Sequence, residues 1–386
     1  MDFFAQGFPV LTGMIQAPPG AIIGPIATFF GYIVDILYRG ASAITPINAL
    51  GISIIVLTLI VRGAMVPQQF KMQRNSRKVQ LAKPEMDKLK EKYGGNPKDP
   101  ELRRKMMAEQ QAINQKYGIN MWASCIPLIV TMPIFIALFA VFGRAFLFIP
   151  SITEVYSSLS QALIDTPFHT NVLAGIVEQY RPANMLISTN NVYDLNRALH
   201  VLTQNDWNVI FGVLEGQSIS DIYSNYGYTL RGFIDGAWTP LTQEMLEATV
   251  ANIPADRLEI IRYYYDAKMS VQSFLGLDMI TPSGWAFPGI IIPVLAVLTM
   301  AYSSFQLSKI NPATDDQGKM MQRISMFVLP LMFGWFTVGA ASAVGIYWVA
   351  GNIFMIVQNF VIFKFFAHKL NPVMDDKGKK KKDERR

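Results

Sequence analysis

Charged residues vanish from four long stretches of the chain, 40–61, 117–143, 279–308 and 324–363, which are 22, 27, 30 and 40 residues long. A helix needs about 20 mainly apolar residues to cross a bilayer. The pattern predicts a first span near 48–66, within a 48–70 segment, that Arg62 interrupts and Pro67 ends. A second span is predicted over 121–143 of segment 121–150, and a third over 285–308 with Trp285 at its entry. As one helix, 324–363 would be about 60 Å long, twice the hydrocarbon thickness, and must fold back. Gly339-Ala340-Ala341-Ser342 is the place for that reversal, giving spans over 323–340 and 342–366. The fold class is all-α: a polytopic membrane protein with a five-span helical bundle.

The intervening segments read differently. In 22–38, Ile22, Ile26, Phe29, Phe30, Ile33, Ile36 and Leu37 share helical spacing. An amphipathic helix in the interface is one reading of it, within an N-terminal segment 1–47, and a sixth span is the other. Residues 71–120 are basic and rich in helix formers, broken at Gly94-Gly95-Asn96-Pro97-Lys98-Asp99-Pro100. Two helices over 76–93 and 100–117 are expected to fold into a hairpin, with Pro84 bending or starting the first. Segment 151–284 is too long for a connecting loop and predicts a small helical domain. One of its helices is expected over 240–252, with Thr239 as N-cap and Pro240 at the first position, and another over 256–275. A loop over 309–322 and a low-complexity tail over 367–386 complete the chain.

Composition and charge sharpen this picture. The chain is 51% hydrophobic and 16% charged, against about 25% charged in soluble domains, which excludes a soluble enzyme. Of 34 Lys and Arg, 13 lie in 71–120, three in 309–323 and nine in 364–386, whereas 145–284 holds six against 14 acidic residues. Basic short loops stay cytoplasmic, so the hairpin, the 309–322 loop and the tail are placed inside. The N-terminus and 151–284 are then outside. The first basic residue is Arg39, and no cysteine lies near the start, so neither a secretory signal nor a lipid-anchored start is expected. Cys125, the single cysteine, leaves no disulfide framework.

Catalytic parts are scarce. His169, His200 and His368 all lie outside the spans, and no HExxH, CxxC or phosphate loop occurs. Neither a metal nor a cofactor is called for. The informative residue is Arg62, because an arginine at span centre costs about 2.5–3.5 kcal/mol and marks a functional candidate. Snorkelling is the plain alternative, but Arg62 lies nine residues, about 13 Å, from Lys71. No acidic residue in any span can pair with it, so it needs water, polar side chains or a visiting anion. Thr58, Thr131, Ser303, Ser304, Asn352 and Gln358 are candidates to line such a pocket, and each also suits ordinary helix packing. The tail residues Lys379, Lys380, Lys381, Lys382, Arg385 and Arg386 suit anionic lipids or ribosomal RNA phosphates, lipid being favoured on composition. Methionines at the hairpin and span ends suit adaptable apolar contacts and are also ordinary filler.

Together these segments resemble the YidC-type membrane protein insertases. GISIIVLTLIVRGAMVP (51–67) resembles the first core span of that family, and KPEMDKLKEKYG (83–94) its basic hairpin. CIPLIVTMPIFIALF (125–139) resembles the second span, FLGLDM (274–279) with IIP (291–293) the entry to the third, and IYWVAGNIFMIVQNF (346–360) the last. The resemblance implies a five-span bundle in the bacterial inner membrane, N-terminus outside and C-terminus inside. It implies insertion of nascent membrane proteins without nucleotide or metal, alone or beside the Sec translocon. The implied path is a hydrophilic groove lined by Arg62, in which Trp348 and Asn352 match the last-span pattern. The hairpin would receive substrate and the basic tail would help contact ribosomes. The family's interfacial helix favours that reading of 22–38.

Several positions depart from the family pattern. Leu50 stands where Trp often precedes the first span, and Thr131 replaces a usual Gln. Ser303 or Ser304 takes the place of a third-span Gln, and an insertion occupies about 156–271. A transporter or channel using Arg62 as an anion site is the competing function, but it asks for broken helices with paired polar residues. A third reading makes the inserted domain the functional part and the spans its anchor.

Overall fold

The computed structural model describes residues 20–94, 99–120, 126–178, 191–234, 237–310, 312–313 and 316–366. Helices dominate, and the only named strands among the described residues form two short antiparallel hairpins. Among the described residues, four helices are long and apolar enough to cross a membrane: Ala49–Lys92, Ile291–Ile310, Gly318–Gly339 and Ser342–Phe365. The remaining expected crossing corresponds to the shorter apolar helix Thr131–Gly143, part of the Ile126–Gly143 helix. Its expected start at 121–125, with Cys125, and the basic tail lie outside the described residues.

Several boundaries differ from expectation. The helix that carries the first span does not stop at Pro67: it runs from Ala49 through Pro67 and Pro84 to Lys92. A proline ring crowds the carbonyl four residues back, here that of Gly63. Span helices also tolerate proline because neighbours satisfy the freed backbone groups. The second span stops at Gly143, where Arg144 breaks it before a short Ala145–Phe148 turn of helix. The third begins at Ile291, not 285, after a run of turns. The last reversal occupies Ala340 and Ala341, between a helix ending at Gly339 and one starting at Ser342.

The chain forms two compact units. One lies within Met1–Leu57, Ile136–Ile290 and Thr337–Ile346, and the other within Thr58–Phe135, Ile291–Phe336 and Tyr347–Arg386.

The first unit is a helical domain with its own core. The Pro150–Ile164 helix packs on Ala255–Gln272 and on Val192–Val201, burying Tyr156, Leu159, Leu163, Trp207 and Ile261. Thr203 with Asp206 and Ser218 with Asp221 form capping boxes that start two of its helices. The 240–252 expectation fails at its start. Thr239 and Pro240 belong to a strand, 237–240, paired with 231–234, and the helix begins at Gln243 with Thr242 as N-cap. The helix Ile23–Ser42 rests on Ala145–Phe148 and Pro150–Ile164 through Ala27, Phe30, Gly31, Val34, Asp35 and Tyr38. Ile22, Phe29, Tyr32 and Ile36 are exposed, so this helix carries apolar residues on two faces rather than one. Residues 281–284 run beside the 338–342 reversal: Ser283 N–H donates to the Ala340 carbonyl, and Ser342 N–H to that of Thr281.

The second unit holds the hairpin and the remaining span segments. Pro100–Tyr117 is capped by Asp99, which accepts from Glu101 N–H, and closed by Gly118 in the left-handed region. It folds back on the 49–92 helix through two matched clusters. Glu109 accepts from Lys92 (2.6 Å) and Tyr93 (2.8 Å), and Glu85 from Lys116 (2.5 Å) and Tyr117 (2.9 Å). These hydrogen bonds hold both glutamates below the usual carboxylate range. Asn75 closes the base, exchanging two hydrogen bonds with the Asn120 backbone.

Candidate functional site

Arg62 lies on the 49–92 helix, and its side chain crosses the last span where that helix is thinnest. A Cβ on Gly351 would stand 2.9 Å from Arg62 Nη2 and 3.1 Å from Nε, so a side chain here would push the guanidinium from its present place. Nη1 meets Met355 Sδ at 3.6 Å, while Nε is buried with no hydrogen-bond partner. No ion pair to Arg62 occurs among the described residues. The side chain is half-buried. A thioether is a weak acceptor, so this cation retains donors for a stronger acceptor.

Polar side chains continue from this point along three helices. Asn352 Nδ2 donates to Thr299 Oγ1 at 3.3 Å. Seven positions further along both helices, Asn359 Nδ2 donates to Gln306 Oε1 at 3.3 Å. Gln73 Nε2 donates to Asn359 Oδ1 at 3.1 Å, and Gln306 Nε2 to the Ile356 carbonyl at 3.3 Å. Gln73 is 2% exposed, and its Oε1 has no partner. The seam ends at a cavity of about 360 Å³ lined by Gln73, Asn75, Ser76, Ser304, Ser308, Gln322 and Ser325 with apolar Met72, Val79 and Leu307. No charged side chain lines it.

The expected site residues are distributed over this arrangement. Asn352 is in the seam, and Ser304 lines the cavity, accepting a hydrogen bond from Ser325 at 3.4 Å. Ser303 and Thr58 are buried, in keeping with helix packing, and Thr131 is half-buried. Trp348 sits in an aromatic cluster, stacked on Phe135 at 5.4 Å and edge-on to Phe333 (4.7 Å) and Phe336 (5.5 Å). Gln306, on the same helix as Ser303 and Ser304, places an amide in the seam. Gln73, Gln306, Asn359 and Gly351 were missed by sequence reasoning, although the seven-residue steps from Thr299 to Gln306 and from Asn352 to Asn359 were available as a signal.

Comparison with known proteins matches this architecture. The family model of the 60Kd inner membrane protein matches residues 43–193 and 257–369. Membrane protein insertase YidC 1 of Bacillus anthracis is 34% identical over 137 residues, 35% of this chain and 53% of that protein. YidC 1 of Streptococcus pyogenes serotype M6 is 33% identical over 141 residues, 36% and 50% of the two chains. The membrane protein insertase MisCA of Bacillus subtilis is 40% identical over 89 residues, 23% and 33%. The chain thus spans about half the length of the first curated relatives it matches. The match covers well over half of the chain and leaves unmatched only 194–256 between its two parts, inside the segment read as an insertion, so this protein belongs to the 60Kd inner membrane protein family, the family of the YidC insertases.

Proposed function

We propose that this protein inserts nascent membrane proteins through a polar groove lined by Arg62, Asn352, Thr299, Gln306, Asn359 and Gln73. The observation that carries the reading is the Arg62 guanidinium, set among span helices with Nε unbonded and only a thioether on Nη1. A buried donor without a partner costs free energy, and an acidic or carbonyl-rich segment passing along the seam removes that cost. The amides serve the same passage by offering hydrogen bonds to a polypeptide backbone inside an otherwise apolar bundle, where unmet polar groups are expensive. The substrate's apolar span then leaves sideways into lipid. Neither nucleotide nor metal enters this scheme, and it requires no bond chemistry.

The basic loops support a sidedness with the hairpin, the 309–322 loop and the tail in the cytoplasm and the inserted domain outside, and the bacterial relatives support a bacterial membrane. In this orientation the hairpin receives the emerging chain. The tail residues Lys379, Lys380, Lys381, Lys382, Arg385 and Arg386 approach ribosomal RNA or anionic lipid. Insertion proceeds alone or beside the Sec translocon.

Purified protein in liposomes is expected to insert a short one- or two-span substrate without Sec components, and yield equal to empty liposomes would refute the proposal. Arg62→Gln should slow substrates with acidic translocated tails about tenfold, the factor carried by 1.4 kcal/mol, and neutral-tailed ones less. Equal slowing of both would remove the electrostatic role.

A further inference from the structure

A two-residue turn joins the Ser273–Phe274 and Leu277–Asp278 strands, with Phe274 paired to Leu277. Both turn residues have positive φ, +52° at Leu275 and +79° at Gly276, as in a type I′ turn. The first position of such a turn normally holds Asn, Asp or Gly, because a Cβ there crowds the backbone. Leu275 is the only non-glycine residue with positive φ among those described. A strained exception of this kind persists where something over-determines it. Packing within the protein does not supply the reason, since Leu275 is 74% exposed.

The turn is nevertheless held in place. Leu275 N–H donates to Asn48 Oδ1 at 2.8 Å. The Phe274 ring presses on Gly51, where a Cβ would stand 2.1 Å from Phe274 Cγ. Asn48 and Gly51 bracket the start of the 49–92 helix, whose apolar window has the highest mean hydropathy of the four candidate spans. Leu275 is thereby fixed at the level of a span's first turn. The residues leading into that span include Ile44, 87% exposed, and Ile47, while Trp285 and Phe287, the latter 82% exposed, precede the Ile291–Ile310 span.

We propose that the Leu275-Gly276 turn is a lipid anchor. Leu275 enters the acyl-chain boundary of the leaflet at the starting end of the 49–92 helix, with Ile44, Ile47 and Phe287 contributing to the same band. The clamp on Asn48 and Gly51 sets its depth. Continuity with the span identifies the occupant, because lipid is what surrounds a membrane helix at that level. Burying the leucine side chain in hydrocarbon offsets the left-handed backbone, which an exposed leucine in water would leave uncompensated. The anchor ties the inserted domain to the bilayer where the first span begins.

A nitroxide at Leu275→Cys, in a Cys125→Ser background reconstituted in phosphatidylglycerol-containing liposomes, tests this by collision with oxygen against a water-soluble nickel chelate. Tyr223→Cys, at an exposed position of the same domain, serves as the aqueous reference. The oxygen-to-nickel ratio at 275 should exceed that at 223 several-fold. A ratio equal to the reference would place the turn in water, and low collision with both reagents would place it under protein; either overturns the anchor. Leu275→Asn, which suits the left-handed geometry, should leave the Tm in detergent unchanged or raised, and a fall of several degrees would show protein packing instead. Neither readout involves insertion, so failure here leaves the insertase reading standing.

Discussion

Gly351 matters through what stands over it. The Arg62 guanidinium occupies the space a side chain would fill, so Gly351→Val should displace it while preserving its charge. That variant is expected to lower insertion of acidic-tailed substrates much as Arg62→Gln does, with little change in Tm; normal insertion would show that guanidinium placement is immaterial. Lys268 poses the opposite problem, a charge inside a core. It is 2% exposed, with Nζ 5.4 Å from the Tyr156 ring and 5.3 Å from that of Trp207. Burial lowers its pKa to about 8 against the pull of Asp278, and lowers that of buried His200 to about 4, helped by Lys268 and Arg144. Between pH 6.5 and 4 the unfolded domain binds a proton at His200 that the native one refuses, so stability falls with acid by about 1.4 kcal/mol per pH unit. Between pH 8 and 10.5 the unfolded state alone keeps the Lys268 proton, so stability rises. Lys268→Met should raise stability at pH 7 by about 1–3 kcal/mol and abolish the alkaline rise in thermal melts. An unchanged alkaline rise would assign it to another group.

Among elements, close backbone approach decides which helices can seat. A Cβ on Gly31 would lie 2.1 Å from the Phe148 carbonyl oxygen, whereas one on Gly40 of the same helix meets nothing within 4 Å. Gly31→Ala should therefore cost about 1–3 kcal/mol by overpacking, and Gly40→Ala should stabilise by up to about 1 kcal/mol of helix propensity. Equal Tm for the two would contradict the packing of 23–42 on 145–148. The charge gaps overlap the long apolar helices, because no short-range contact competes with that signal. Terminators were harder to read. Pro67 looked like a stop but lies inside a 44-residue helix, and this join put Gln73 on the first span's own helix rather than in a separate hairpin. Thr239-Pro240 carried a helix-start signal that four-residue strands took over, since strands that short show too little alternation to register.

For the molecule as a whole, the bundle and family were legible from apolar runs and motif order, and Arg62 from being a charge where none belonged. The uncharged seam was not, because Gln73, Gln306 and Asn359 become a site only when three helices bring them within hydrogen-bond distance. The account's central claim is that a substrate passes this seam. A photoreactive residue replacing Met355, which touches the guanidinium, tests it most directly on ribosome-stalled nascent membrane proteins. Crosslinks are predicted from position 355, strongest when the substrate's span has just left the ribosome, with none from Tyr223 in the inserted domain. Absence of crosslinks at 355, or equal yield at 223, would contradict the claim.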